Sequence, residues 1–295
     1  MAGEAHKSGR PRQTLRRERL HEADWLRYLP ATVFLGLVSL AMLAPLGWTV
    51  MSSLKTNAEL FSSPWELPAE FRIGNFAEAW TRGHLGTYVL NSVWITTVSV
   101  VAVILLASMA AFAFARLEFR GRDKLFAVFL IGLIIPIQGV LVPLFLLLKE
   151  IGLLYTYAGL VLSYVAWGLP LAIYVMRAFF LSLPRDLEDA ARIDGCGLLG
   201  IYWRILMPIA KPAIATVAVF TALGVWNELL LVQLFIDEDT MRTLPCGLLG
   251  YSYQHQTRYD LVFAAVTMIA LPMMLLYAVF QRWFIDGLTS GAVKG

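Results

Sequence analysis

Six long apolar stretches dominate the pattern of hydrophobic and polar positions along this chain. Asp, Glu, Lys and Arg are absent from residues 28–54, 83–115, 125–148, 151–176 and 261–281, and residues 212–236 hold only Glu228. A helix needs about 20 predominantly apolar residues to cross the hydrocarbon core of a bilayer, and every stretch is long enough. The pattern predicts an all-α, polytopic membrane protein with six transmembrane helices. Residues 1–29 then form a polar, basic tail and 30–85 the first membrane helix with an outer loop. Residues 86–282 form a compact helical core and 283–295 a closing tail, where Gly287, Ser290, Gly291 and Gly295 predict a small, flexible strand.

Helix breakers interrupt this pattern. Pro64, Pro68 and Gly74 punctuate the outer loop. Pro136, Gly139 and Pro143 fall in the third apolar stretch, Gly168 and Pro170 in the fourth, and Pro272 in the sixth. Breakers at membrane depth are tolerated where the freed backbone groups meet neighbouring helices or water, so each marks a kink or a hinge. Gln138, beside two of these breaks, is a candidate lumen-facing amide in a substrate pathway. In "WNELLL", Glu228 is a lone acid in an apolar span, and intramembrane ionisable residues are functional candidates by default. Two roles stay open for it: lining or gating a pore, or structural pairing near a helix end. Trp226 offers a flat apolar face suited to sugar C–H surfaces, and with Asn227 and Glu228 it completes the candidate pathway set.

Composition and charge add an orientation. Hydrophobic residues make up 58% of the 295 positions and charged residues 15%, above the roughly 45–50% apolar content of soluble domains. The net charge of +3 matters less than its distribution. With the N-terminus inside, segments 1–29, 116–124, 177–211 and 282–295 hold 18 of the 24 Lys and Arg residues. By the positive-inside rule, both termini are expected in the cytoplasm, in a multi-pass protein of the plasma (inner) membrane. Arg10, Arg12, Arg16, Arg17 and Arg19 read as that orientation signal rather than as a nucleic-acid patch. The charged lead and the apolar run after it are too long for a cleaved signal peptide, so the first stretch reads as an uncleaved anchor.

Catalytic chemistry is missing from the pattern. No Gly-Lys dipeptide occurs, which excludes a phosphate-cradling loop of the G-x-x-x-x-G-K-[ST] kind, and there is no G-x-S-x-G or H-E-x-x-H. His6, His21, His84 and His255 are scattered, and neither Cys196 nor Cys246 sits in a ligand-spaced cluster. No catalytic residue, no metal site and no bound cofactor are expected. Any energy source must lie in another subunit.

One polar stretch is out of place among these segments: "LEDAARIDGCG", Leu187 to Gly197. Pro184 suits the first turn of a helix, and Asp186, Glu188 and Asp189 suit the positive end of its dipole. Glu188 and Arg192 stand four apart in the favourable order, and Gly195 is a natural stop. The expected helix is too short to cross a bilayer. Leu187, Ala190, Ala191 and Asp194 share one face at i, i+3, i+4 and i+7 spacing, small enough for close approach by a partner. Helices that lie on lipid favour Lys and Arg opposite bulky apolar residues; here acids prevail and the apolar face is small. Docking to another protein is the better reading.

From Glu188 to Pro212 the chain resembles the cytoplasmic EAA loop of binding-protein-dependent ABC transporter permeases. The family pattern, E-A-A, three residues to a Gly, then I-x-L-P, appears here as Asp189, Ala190, Ala191, Gly195 and Ile205-Leu206-Met207-Pro208. Asp stands for Glu, and Met for the Leu before Pro208. "NSVWITTVSV", "FAFARLEFRGRDKLF", "WNELLL", "RTLPCGLLGY" and "FIDGLTSGAVKG" resemble the maltose-type carbohydrate branch. The resemblance implies the transmembrane domain of a type I ABC importer, with a coupling loop at about 184–212. It assigns Asp189, Ala190, Ala191, Asp194, Gly195 and Pro208 to ATPase coupling. It also implies an ATPase dimer that uses ATP and Mg, a second permease subunit, an extracytoplasmic solute-binding protein and a sugar substrate. The competing readings are an ABC permease for a non-sugar solute such as glycerol phosphate or an amino acid, and a secondary transporter or channel.

Overall fold

The computed structural model describes the backbone of residues 13–253 and 258–292, and the side chains of 28–249 and 258–281 except 276 and 280. Among the described residues the chain is helical and has no strand. Among the described residues four helices are long and apolar enough to cross a membrane, and Leu198–Ile209 with Lys211–Trp226 makes a fifth if that bent pair is one span. The four are Tyr28–Ser53, within α1 (Gln13–Ser53); α4 (Leu85–Arg116); α7 (Tyr157–Ser182); and Tyr259–Val279, within α14 (Tyr259–Ala292). At 1.5 Å per residue, the 26 residues of α7 extend about 39 Å.

The other two apolar stretches do not form single helices. Residues 125–148 split into α5 (Arg122–Ile131) and α6 (Ile137–Glu150). Pro136 has no N–H to give and holds its backbone extended, at ψ 136°, just before α6. Residues 212–236 split into α11 (Lys211–Trp226) and α12 (Leu230–Phe235). The composition of these two stretches suits a membrane; their backbone is interrupted within it.

Short helices fill the connections. The outer loop holds α2 (Asn57–Ser62) and α3 (Gly74–Arg82), and α13 (Leu244–Tyr253) precedes α14. Helix α4 packs along α7 and α11, and α14 lies against α11, α1 and α3. Small residues make the closest approaches: Ala107, Ala111 and Ala172 lie fully or almost fully buried between α4 and α7. Without a hydrophobic driving force inside lipid, such small residues let helix backbones approach. The large apolar side chains of α1, such as Phe34, Leu40 and Met42, remain exposed. The closing segment does not form the expected flexible strand, because α14 continues as helix through Ala292. The first twelve residues of the basic tail and residues 293–295 lie outside the described residues.

Candidate functional site

The polar stretch forms α8 (Asp186–Ile193), with Asp186, Glu188 and Asp189 in its first turn and Arg192 in its last. Arg192 pairs with Asp189 at 2.7 Å and with Glu188 at 3.6 Å. The helix ends as the glycine predicts: Gly195 has φ +83°. Its N–H donates to the Arg192 carbonyl at 3.0 Å, and the Cys196 N–H reaches back to Ala191 at 2.9 Å. This is the paired hydrogen bonding of a Schellman turn, and a Cβ at Gly195 would be strained.

One residue outside the predicted set anchors this helix. Glu188 is 3% exposed and its Oε1 lies 2.6 Å from Nε of Arg116, the last residue of α4. The approach is close but off the line of a hydrogen bond. Arg116 also donates through Nη2 to the Leu183 carbonyl at 3.0 Å. An uncompensated buried charge is costly, so the pair ties α8 to the end of α4. The sequence shows the Glu188–Arg192 spacing, but no local pattern connects Glu188 to the distant Arg116.

The two alanines border the same groove as Leu187 and Asp194 but differ in exposure. Ala191 is buried against the chain's own core, in a cluster with Ile201, Tyr202 and Leu206. Ala190 is exposed. A groove runs along this face, lined by Pro184, Leu187, Ala190, Asp194 and Ile205, with Ala191 among its walls. Asp189 is exposed beside Arg192.

Beyond Gly195 the chain is helical over Leu198–Ile209, with α9 (Leu198–Gly200) and α10 (Met207–Ile209) flanking a π-helical turn, Ile201–Leu206. There the Met207 N–H reaches the Tyr202 carbonyl, five residues back. Pro208 cannot donate to the carbonyl four residues before it, and its ring crowds that carbonyl; the wide turn accommodates both. Tyr202 is held by a 2.7 Å hydrogen bond to Ser108 on α4. At Ala210 the chain bends by 75° into α11.

The candidate pathway residues are not brought together. Gln138 is exposed on the first turn of α6. Trp226 is 3% exposed and packs in the cluster of Leu85, Tyr88, Leu244 and Leu261. Its indole faces protein rather than a lumen, so it offers no sugar-stacking face. Asn227 is exposed and donates to the Leu223 carbonyl at 2.9 Å. Glu228 is buried; it accepts from the Tyr164 hydroxyl at 3.0 Å and from the Leu231 N–H at 3.0 Å. It thus caps α12 across the break that follows Trp226. Tyr164, on α7, escaped the sequence reading because nothing local marks it.

Residues 103–290 match the family described as "Binding-protein-dependent transport system inner membrane component". The chain belongs to this family. It is a permease component of ABC importers, not their ATPase. It is 40% identical to the diacetylchitobiose uptake system permease protein NgcG of Streptomyces coelicolor, across 87% of this chain and 85% of that protein. It is 36% identical to the probable ABC transporter permease protein YurM of Bacillus subtilis, across 89% and 87%. The melibiose/raffinose/stachyose import permease protein MelC of Bacillus subtilis is 34% identical, across 90% and 96%. Among solved structures, a chain of a bacterial ABC transporter involved in alginate import superposes with a TM-score of 0.79 at 22% identity, across 89% of this chain and 98% of that one. That similarity establishes the type of fold.

Proposed function

We propose that this permease forms half of the translocation path of a carbohydrate importer. The relatives named for diacetylchitobiose and for melibiose, raffinose and stachyose support an oligosaccharide as its cargo. In this reading the six apolar stretches make six spans, the third and fifth crossing as broken helices. Both termini face the cytoplasm, a placement supported by the excess of Lys and Arg near α8 and the N-terminus. A second permease subunit completes the path and a solute-binding protein delivers the sugar from outside. An ATPase dimer, using ATP and Mg, docks on α8.

The observation that carries this reading is the construction of α8. It is too short to cross a bilayer, it ends at a left-handed glycine, and it is fixed to α4 by a buried ion pair. Its outer face is a groove in which small and apolar side chains stand beside Asp186 and Asp194. A rigidly mounted surface helix transmits a push from a partner to the membrane helices; a loosely tethered one would yield. Ala190, Asp194 and Gly195 serve this docking from outside, and Ala191 and Pro208 shape the mount. The switch works only if nucleotide binding favours one conformation over the other. Moving from 1:99 to 99:1 takes about 5.5 kcal/mol of differential binding.

The test is ATPase activity of the reconstituted complex with its binding protein over a panel of sugars. Stimulation by at least one oligosaccharide is expected. Stimulation by glycerol phosphate or an amino acid, and by no sugar, would contradict the carbohydrate reading.

A further inference from the structure

Phe61, Trp65, Leu67, Phe71 and Ile73 crowd one stretch of the outer loop, and each is between 69% and 81% exposed. Large apolar side chains gathered in this way mark an interaction surface. Their depth points to the partner. The turn that carries Trp65 folds back along α1: the Trp48 indole N–H donates to the Pro64 carbonyl at 3.0 Å, and the Trp48 and Trp65 rings lie 5.8 Å apart. Trp48 also meets Phe263 of α14 edge-on at 5.2 Å. Trp48 precedes the end of α1 at Ser53 by five residues, and Phe263 follows the start of α14 at Tyr259 by four. At 1.5 Å per residue, both rulers set the turn about 6–8 Å inside the helix ends. The Trp48 side chain leans towards the N-terminus of α1, away from the outer end, so it does not lift the turn. A headgroup layer is about 5–8 Å thick on each side of the hydrocarbon core.

Irregular backbone at that depth needs donors from the protein itself, and the turn has them. Lys55 is 1% exposed, and its Nζ donates to the Ser63 carbonyl at 2.8 Å and the Pro64 carbonyl at 3.1 Å. A lysine at the end of a membrane helix ordinarily extends its ammonium into water; this one is folded inward onto the turn. Asn75 closes the base of the loop, donating to the Ser53 and Lys55 carbonyls at 2.9 and 2.8 Å. The loop is a built hook, with its polar groups turned in and its aromatic side chains turned out.

We infer that this hook is a lipid anchor: Trp65, with Phe61 and Leu67 beside it, sits in the outer leaflet where headgroups meet acyl chains. The surface is continuous with the lipid-facing side of α1, whose Leu46 and Val50 flank Trp48 and are exposed. Aromatic side chains with an apolar body and a polar tip favour that boundary. Glu66, Glu70 and Arg72 stand exposed among the apolar residues. Headgroups and their water accept such charges, whereas the core of a protein interface is depleted of them. A soluble partner would approach from beyond the helix ends, and Trp65 lies below them. The anchor also holds α14: the Tyr259 N–H donates to Asn57 at 3.1 Å, and Phe61 packs edge-on against the Tyr259 ring. None of this depends on the cargo.

The test places an environment-sensitive fluorophore on Trp65→Cys, in a chain with Cys196 and Cys246 replaced. The complex with its partner subunits is held in vesicles of phosphatidylethanolamine and phosphatidylglycerol. Phosphatidylcholine spin-labelled near its headgroup should remove more of the fluorescence than iodide does. The same label on Asp237→Cys, exposed in the loop after α12, should show the reverse order. Stronger quenching by iodide at position 65 would overturn the inference in favour of a surface open to water. Protection from both quenchers would overturn it in favour of cover by another subunit. Adding Lys55→Met leaves the Ser63 and Pro64 carbonyls without their ammonium, and should shift the balance at position 65 from the lipid quencher towards iodide. An unshifted balance would overturn the role given to Lys55. Where Lys55→Met does not insert, Lys55→Gln takes its place; the lipid contact itself is decided by the Trp65→Cys label alone.

Discussion

Glu188 and Glu228 are both buried carboxylates, and the protein satisfies them by different means. Glu188 faces a cation: Arg116 at 2.6 Å, with Arg192 at 3.6 Å behind it. Glu228 has only neutral donors, the Tyr164 hydroxyl and the Leu231 N–H. The first arrangement joins two elements far apart in sequence and fixes α8 to the end of α4. The second satisfies the start of a short helix after a break in the membrane segment, where the positive end of the helix dipole also favours an acid. A carboxylate that locks two elements together is expensive to neutralise. A carboxylate that caps one helix tolerates replacement by an isosteric amide.

The largest expected effect breaks the ion pair. Glu188→Gln leaves Arg116 buried without its counter-charge, which should cost about 3–5 kcal/mol. It should appear as a lowered melting temperature in detergent and poor recovery of the complex. Replacing both partners, Glu188→Leu with Arg116→Met, should recover much of that loss, since a buried pair is often replaced by apolar residues at little cost. A double variant as unstable as Glu188→Gln would show that the charges themselves are required.

Glu228→Gln should be milder. The amide keeps one acceptor oxygen for the Leu231 N–H or the Tyr164 hydroxyl, so the loss should be near 1 kcal/mol, with transport retained. Normal melting together with lost transport would restore a gating role to this residue. The comparison between the two glutamates would then fail.

Legibility in the sequence followed how local the determining chemistry was. The existence of α8 and its stop at Gly195 were readable because dipole, spacing and glycine act within one or two turns. Its start falls at Asp186, so that Pro184 precedes the helix instead of opening its first turn. The six apolar stretches were readable from length alone. Their backbone was not: Pro136 announces a break, but whether a stretch continues as one helix depends on the neighbours that shelter the freed groups. Trp226 shows the opposite limit. In a run that is apolar on all sides, helical periodicity cannot separate a core face from a lumen face, so the indole's burial against Leu85 and Leu261 left no trace in the pattern. The different settings of Ala190 and Ala191 depended on Ile201 and Tyr202, beyond the turn. The Glu188–Arg116 pair was invisible for the same reason.

The smallest expected effect sharpens the comparison with a third, half-buried carboxylate outside the membrane segments. Glu59 in α2 accepts from the Thr56 N–H at 2.8 Å and from the Thr56 hydroxyl at 2.9 Å, while its own N–H donates back to that hydroxyl. These bonds, the backbone one foremost, hold its pKa below the ordinary 4.5. A depressed acid stabilises the folded loop above the unfolded pKa, and that stability is lost as pH falls through the folded value. Limited proteolysis of the loop should therefore accelerate below about pH 4.5, and Glu59→Gln should flatten that dependence. An unchanged profile would mean that the Thr56–Glu59 bonds contribute nothing to the loop.

The central claim is that α8 is a docking helix whose exposed small residue admits an ATPase. Ala190 tests it best, because it lies outside the core that Ala191 helps to fill. Ala190→Trp should insert and melt like the parent, while overpacking a tight contact costs about 1–3 kcal/mol. Co-purification of the ATPase subunits with this variant, measured against the parent, should fall sharply, and residual ATPase activity should no longer respond to sugar-loaded binding protein. Ala190→Trp protein that retains its ATPase and transports normally would contradict the account.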